Sequence, residues 1–468
     1  MSAPLLRRLS GVRRREAAGP READIGIQRG HDKKRSDEIR RYVEAGYPWA
    51  SLNTTQRERF PDLQKPGWLP TAIVANLLSA TTERDGVKVA PQDVITIDSE
   101  GGALVRLVLP DGSEDASWEP ATDGLEPIEI IDGQHRLYAF SENEDHLDGN
   151  FEFPVVMFVD LDISWQAYLF WSINIRPKRI TPSLAYDLYP LLRTLEWLDH
   201  VEGPMAYRIT RAQELTEALW SHPQSPWLER IGMLGREKLK VTQAAFVRSL
   251  TLSFVRGWSA NPKTKIGGFF GTHRSDEPTD LLRWTRPQQA AYLIALWGNL
   301  RDAIANSDAE WADYLRNKTP TQLVPKDHDP AFAGRYSILA SDQGVRGFLQ
   351  VCNDISYHRR HDVKFRGWRR MVTAAATDVV EVTSALEELR EQTEIYDFIK
   401  DLTGGIADFD WRSAVTPGLP LDIESFQSRY RSGSGYKQVR LQLLLHLAAG
   451  DSENAEGAQA VAEDLGYI

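Results

Sequence analysis

The residues with the clearest capacity for chemistry lie together near position 130, directly after the apolar run Ile-Glu-Ile-Ile. They are Asp132, Gly133, Gln134, His135 and Arg136. The pattern predicts a buried strand, a tight turn at Asp-Gly, and a helix that starts with residues 136–140. Backbone N–H groups at a helix start and an arginine side chain both suit a phosphate, and Gly133 lets the backbone approach a ligand closely. The segment therefore predicts a phosphate-binding corner, with a strand–turn–helix and a solvated arginine as the alternative.

Three of these side chains could also act as catalytic groups. Gln134 could orient an attacking water, His135 could accept a proton, and Asp132 could polarise that water or bind a metal. The same groups could hold an intact nucleotide, and Asp132 could simply accept local N–H groups in the turn. Hydrolysis, binding without turnover and a structural corner all remain open from these residues.

The run Asp132 to Arg136 spells D-G-Q-H-R and resembles the signature of the DGQHR-domain proteins, DndB among them. These proteins are similar to the ParB/sulfiredoxin superfamily and belong to DNA phosphorothioate or deazaguanine modification systems linked to phage defence. The resemblance covers roughly residues 25–186. It implies a ParB-like fold and a nucleoside triphosphate, ATP or CTP, as the ligand of the corner. Sulfiredoxin has a reactive cysteine where this chain has Gln134, so sulfinic-acid reduction is excluded.

A second segment, residues 172–182, carries Asn174 and Arg176 among further cations just after a predicted helix. It could complete a polyphosphate pocket or form a solvated basic loop. Asn174 matches the Asn of the ParB motif E-N-x-x-R, but Ile173 stands at the Glu position, so the resemblance supplies no carboxylate for Mg²⁺. Arg29, at the end of a predicted strand over 25–30, could reach the same pocket or lie on the surface. The predicted nucleotide-binding residues are thus Asp132, Gly133, Gln134, His135, Arg136, Asn174, Arg176 and Arg29.

Residues 357–370 form the predicted DNA-binding segment. Its six cations are Arg359, Arg360, Lys364, Arg366, Arg369 and Arg370. They alternate with three aromatic residues, so phosphate contact and base stacking could occur together, and a solvated loop is the alternative. The glycine-rich turn at 432–437 could hold an anion or act as a hinge.

Composition limits the remaining classes. The chain has 468 residues and a formal net charge of −11, so DNA contact requires a local basic face. A single cysteine, Cys352, rules out an internal disulfide and a cysteine-built metal site, and no metal site is predicted. No apolar run approaches the ~20 residues that span a membrane, and we expect a cytoplasmic protein.

The spacing of apolar residues predicts an α+β domain followed by helices. Strands are predicted at 69–78, 94–97, 103–109 and 153–159, and helices at 36–45 (capped by Ser36) and 164–173. Further helices are predicted at 183–197, 212–220, 242–258, 287–305, 344–355, 368–389 and 437–449. The expected organisation is a flexible basic tail (1–21), a ParB/sulfiredoxin-like α+β domain (22–182) and a mostly α-helical domain (183–468).

The sequence thus predicts a nucleotide-binding, NTP-hydrolysing component of a DNA-modification or phage-defence system. Its expected partners are DNA and other proteins of that system, and a homodimer is allowed. A DNA-binding transcriptional regulator without turnover is the first alternative. A DNA-nicking enzyme is the second, and it would need clustered carboxylates around Asp132.

Overall fold

The structure is a computed structural model, and its two compact units are Met1–Arg179 and Ile180–Ile468. It describes residues 1–13, 32–46, 50, 52–59, 61, 64, 67–84, 86–99, 103–140, 151–174, 186, 205–233, 241–256, 266–270, 282, 284–320, 324, 328–372 and 374–468. The strand predicted at 25–30 lies outside these residues, and so does the helix predicted at 183–197, residue 186 excepted.

The first unit combines short strands with helices. Its described elements are α1 (Ala3–Leu9), β1 (Ser10–Gly11), α2 (Lys33–Ala45), α3 (Thr54–Arg59), β2 (Ile73–Leu77), β3 (Glu83–Arg84), β4 (Val87–Lys88), β5 (Thr96–Asp98), β6 (Arg106–Val108), β7 (Ile128–Asp132), α4 (Gln134–Leu137), β8 (Val155–Val159) and α5 (Ile163–Asn174). The predicted mixture of strands and helices is confirmed, while the ParB-like fold remains a prediction.

A mixed four-stranded sheet in the order β1-β7-β2-β8 forms the centre of this unit. β7 runs antiparallel to β2 and parallel to β1, and β2 runs parallel to β8. β7 has a hydrogen-bonded neighbour on each side, and residues 128–131, which lie on both of its faces, are buried. Burial of both faces fits its mostly apolar run, which Glu129 interrupts. The predicted hairpin is also present, as the antiparallel pair β5–β6.

The predicted flexible tail is wrong for residues 1–13. Residues 3–9 form α1, in which Leu6 and Leu9 are completely buried, and β1 then pairs with β7. Arg7 donates from Nη1 to the carbonyl of Phe140 at 2.9 Å. The apolar residues recur at helical spacing between the arginines, so this basic stretch buries one face. Residues 14–21 lie outside the described part.

Helix α2 begins earlier than predicted and has a different cap. Asp32, rather than Ser36, is the N-cap, and its carboxylate accepts from the backbone N–H of Arg35. Ser36 is buried and donates from Oγ to the carbonyl of His135 at 3.1 Å. The serine therefore connects α2 to the predicted phosphate corner.

The second unit is helical throughout its described elements. They are α6 (Met205–Ser221), α7 (Gln243–Leu252), α8 (Arg286–Ala305), α9 (Glu310–Lys318), α10 (Pro330–Ala333), α11 (Asp342–His358), α12 (Val379–Glu391), α13 (Thr393–Ala407), α14 (Leu421–Ser428), α15 (Gly435–Ala449) and α16 (Ala455–Asp464). The core includes fully buried aromatic side chains such as Trp227, Trp297 and Trp411. The helical C-terminal region is confirmed.

Five helix predictions in this unit, those at 212–220, 242–258, 287–305, 344–355 and 437–449, overlap observed helices. α6 begins seven residues before its predicted start and α7 ends six residues before its predicted end, whereas the other ends agree to within a few residues. The helix predicted from residue 368 instead begins at Val379. Asp378 sets this start, because its carboxylate accepts from the backbone N–H groups of Val380 and Glu381. Among the described residues, no helix has the length and apolar character needed to cross a bilayer.

Candidate nucleotide-binding corner

The corner forms where β7 ends and α4 begins. Gly133 connects them with φ +103°, a conformation that L side chains rarely adopt. A Cβ atom at Gly133 would lie 2.5 Å from Cδ1 of Ile73 and 3.0 Å from Nη2 of Arg136. The position therefore needs glycine for both its backbone conformation and the close approach of two side chains.

The helix after the turn is shorter than the sequence predicted. α4 comprises only the four residues Gln134–Leu137, so it ends within the stretch 136–140 that was predicted to start a longer helix. A helix of one turn aligns few peptide dipoles, so it offers little of the positive potential expected at a helix N-terminus. Anion binding at this corner must therefore depend mainly on side chains.

Arg136 supplies the main positive charge, and its guanidinium is already held on two sides. Nη2 lies 2.7 Å from Oδ2 of Asp132. Nη1 donates to Oγ1 and the carbonyl of Thr71 at 2.6 and 2.5 Å, and to the carbonyl of Ala72 at 3.1 Å. Arg136 thus fastens the corner to the residues before β2. Sequence analysis missed Thr71, since only the strand pairing brings it here.

Asp132 receives a second partner from the far end of α5. Nδ2 of Asn174 donates to Oδ1 of Asp132 at 3.3 Å, although the two residues are 42 positions apart. The same amide donates to the carbonyl of Phe170 at 3.0 Å. The structure thus brings together Asp132, Arg136 and Asn174, which the sequence predicted to share a site. Arg29 and Arg176 lie outside the described residues.

The remaining catalytic candidates are less accessible. Gln134 is 6% exposed, and His135 is half-buried with its carbonyl accepting from Ser36. Because the Gln134 side chain is buried, bulk water has little access to its amide. Binding is therefore better supported by this geometry than hydrolysis.

The residues of the corner do not fit a magnesium site. Both carboxylate oxygens of Asp132 already have partners in Arg136 and Asn174. Among the described residues, no group of three or more His, Cys, Asp or Glu side chains could hold a metal ion.

The aromatic residues of the predicted DNA-binding segment belong to the core. Tyr357, Phe365 and Trp368 are 4%, 1% and 3% exposed. The predicted base stacking on these side chains is therefore wrong. The alternation of aromatic residues and cations along the sequence does not show which side chains face the core.

Several cations of that segment are paired with groups of their own unit. Arg370 contacts Glu381 and Glu388, with its side chain 7% exposed. Lys364 lies 2.5 Å from Glu394, and Arg359 lies 3.2 Å from Asp362. These ion pairs reduce the charge available to a phosphate. Arg360 stacks on Tyr357 at 4.2 Å, whereas Arg366 and Arg369 are exposed.

Comparison with known families adds one finding. Residues 2–192 match the family model of DndB, which is described as DNA-sulfur modification-associated. This region of the chain is DndB-like. The match includes the whole Asp132–Arg136 corner and Asn174, and it ends before the first described helix of the second unit. No curated protein and no solved structure matches the chain.

The predicted resemblance to DndB is thus confirmed, and placement in the ParB/sulfiredoxin superfamily remains a prediction. The DndB-like region contains every predicted nucleotide-binding residue and none of the predicted DNA-binding cations.

Proposed function

We propose that this protein is a nucleotide-binding component of a DNA-sulfur modification system. The corner at Asp132–Arg136 would hold the phosphates of a nucleoside triphosphate, ATP or CTP. The observation that carries the proposal is the convergence of Asp132, Arg136 and Asn174 beside a turn that only glycine fits, within the DndB-like region.

Arg136 and Asn174 have complementary roles in this proposal. The Arg136 guanidinium is preorganised by Asp132 and the Thr71 carbonyl, so it loses little conformational entropy when a phosphate binds. The Asp132 carboxylate repels a phosphate, which must therefore approach along Asn174 or displace the carboxylate from Arg136. If Arg136 exchanged its contact with Asp132 for a contact with a phosphate, nucleotide binding would change the contacts at the end of strand β7.

Hydrolysis is the further part of the proposal. It assigns Asp132, Gln134 and His135 as catalytic groups, with the nucleotide coupled to DNA or to other proteins of the system. The burial of Gln134 weighs against this part, so binding and turnover need separate measurements.

The test measures binding and phosphate release for ATP, CTP and GTP, with and without double-stranded DNA. Arg136→Ala and Asn174→Ala should both lose nucleotide affinity. Thr71→Val is the matched control, because it removes one hydroxyl contact to Arg136 but keeps the guanidinium and the backbone carbonyl contacts. It should bind nucleotide as the wild type does.

Each outcome has a distinct meaning. Unchanged affinity in Arg136→Ala, or no nucleotide binding by the wild type, would refute the proposed site. Turnover that Gln134→Ala abolishes while binding persists would establish the hydrolytic part. DNA binding without nucleotide, lost when Arg359 and Arg360 are neutralised, would favour the alternative of a transcriptional regulator.

A further inference from the structure

Five arginines gather in the helical unit, outside the DndB-like region. They are Arg208, Arg248, Arg256, Arg346 and Arg440. Arg208 lies on α6, Arg248 on α7, Arg346 on α11 and Arg440 on α15, and Arg256 follows α7. Helix α7 packs against both α6 and α11, and α11 packs against α15. The helices thus bring together cations that are far apart in the sequence.

Aromatic and acidic side chains orient some of these arginines. The Arg346 guanidinium lies 3.5 Å from the ring centroid of Tyr436. Arg440, one turn after Tyr436 on α15, contacts the buried carboxylate of Asp354 at 2.5 Å. Arg248 donates from Nε to the hydroxyl of Tyr186 at 3.3 Å.

Two of the arginines have no directly bound carboxylate among the described residues, although the charge of Asp354 acts on Arg256. Within the part of the chain that the structure describes, the side chains of Arg208 and Arg256 make no hydrogen bond or ion pair, and Nε of Arg208 is buried. The carboxylates beside the cluster are Asp354, which is bound to Arg440, and Asp342, which accepts from the backbone N–H and hydroxyl of Thr242. Both carboxylates thus have partners other than Arg208 and Arg256.

Burial and mutual repulsion oppose this arrangement. Burial lowers the pKa of Arg208, and the neighbouring charge of Arg256 lowers it further. Burial is also the main cause that lowers the pKa of Arg256; the nearby Asp354 carboxylate opposes this shift, and the charge of Arg440 adds to it. Arginine stays protonated nonetheless, so half-buried like charges face one another at a cost in stability. Perturbed charges of this kind concentrate at functional sites.

We propose that this arginine cluster binds the phosphate backbone of DNA. Guanidinium groups match phosphate oxygens in bidentate geometry, and a phosphate would supply the partner that Arg208 and Arg256 lack. Five arginines on or beside four helices exceed the needs of one phosphate group and suit a repeating polyanion. In a chain with net charge −11, the cluster provides the local basic face that DNA contact requires.

The experiment measures binding of the full chain to a short DNA duplex over a series of salt concentrations. Arg208→Gln and Arg256→Gln are made singly and together. Each should weaken binding about tenfold, as expected for one lost charge-assisted hydrogen bond. Each should also make the slope of log affinity against log salt shallower by about 1, for any DNA sequence. The thermal midpoint should stay or rise, because the substitutions relieve repulsion.

Two control variants separate the cluster from other basic groups. Arg301→Gln removes an arginine that is paired with Asp302 on α8, and it should leave DNA binding unchanged. Arg366→Gln/Arg369→Gln removes the exposed cations of the sequence-predicted DNA segment. If only that double variant loses DNA affinity, the cluster proposal is wrong.

A final measurement tests whether inorganic triphosphate binds to the cluster. Tight binding of triphosphate at the cluster without DNA affinity would also overturn the proposal, since the ligand would then be a small phosphate anion. Nucleotide binding at the Asp132–Arg136 corner is measured in parallel in the cluster variants. Failure of that corner leaves the cluster result unaffected, so the two proposals can fail independently.

Discussion

Replacement of Gly133 by alanine should strongly destabilise the first unit. Gly133 has φ +103°, and holding a non-glycine residue in a left-handed conformation costs about 1–2 kcal/mol. The new Cβ would also lie 2.5 Å from Cδ1 of the completely buried Ile73. Overpacking of this kind costs about 1–3 kcal/mol. We therefore expect Gly133→Ala to lower the free energy of unfolding of Met1–Arg179 by about 2–5 kcal/mol.

Gly86→Ala is the matched control for this substitution. Gly86 also has a positive φ, +79°, but its Cβ would meet nothing within 4 Å. It should therefore show the backbone cost alone, about 1–2 kcal/mol. Ile73→Val removes the clashing Cδ1 atom, and the double variant Gly133→Ala/Ile73→Val should lose less stability than the two single changes added together.

Hydrogen exchange at the backbone amides of β2 and β7 measures these effects, because those amides are protected by the central sheet. Equal costs for Gly133→Ala and Gly86→Ala would refute the steric argument. Strict additivity in the double variant would show that Ile73 is not the obstacle. Loss of nucleotide binding in Gly133→Ala, with partial recovery in the double variant, would connect the turn to the proposed ligand site.

Three further predictions concern the helical unit. Glu214 is buried, lies 2.7 Å from Arg286 and accepts from the backbone N–H of Ala376. Glu214→Ala should lower the free energy of unfolding in urea by about 3–5 kcal/mol, because it leaves the buried charge of Arg286 unpaired. Glu214→Gln keeps an acceptor and should cost less, so equal costs for the two variants would contradict this account. Burial lowers the pKa of His446, so the unfolded chain binds a proton first and stability should fall as pH drops below about 6.5. The thermal midpoint of His446→Gln should fall less between pH 7.5 and 5.5 than that of the wild type, and parallel curves would disprove the assignment. Cys352 is buried, and burial raises the pKa of its thiol well above the usual range. A thiol reagent should therefore label Cys352 only at the rate of unfolding. Rapid labelling of the native protein would show that the site is open.

The central strand and the corner were predictable because local pattern and tertiary role agree there. A mostly apolar run fits a strand that is buried on both faces, and Asp-Gly fits a turn that needs a positive φ. The cations around Asn174 and the ParB motif placed this residue in the same pocket as Asp132, but its hydrogen bond to Asp132 had no signal, since no local rule connects residues 42 positions apart. Thr71 had no signal, because its role depends on the pairing of β2 with β7.

The N-terminal segment shows how composition can mislead. Its arginines suggested a solvated tail, yet Leu6 and Leu9 share one helical face and are completely buried. Arg7 spans this face and reaches the carbonyl of Phe140. Long basic side chains can cover apolar surface while their charged ends find partners, so a basic stretch can fold against a core.

The basic segment and the arginine cluster show why a charge count along the sequence does not locate a DNA interface. In residues 357–370 the cations are dense in sequence, but Arg370 is held between Glu381 and Glu388 and the aromatic rings are in the core. In the cluster, Arg208 and Arg256 are 48 positions apart by their numbering, yet the charge of Arg256 lowers the pKa of Arg208. The side chain of neither has a hydrogen-bond partner among the described residues. A phosphate gains most where positive charge is desolvated and uncompensated, because there it replaces repulsion by attraction instead of competing with an existing carboxylate. The same physics requires that substitutions in the cluster leave stability unchanged or improve it while they weaken DNA binding, whereas neutralising Arg370 should reduce stability and leave DNA binding intact.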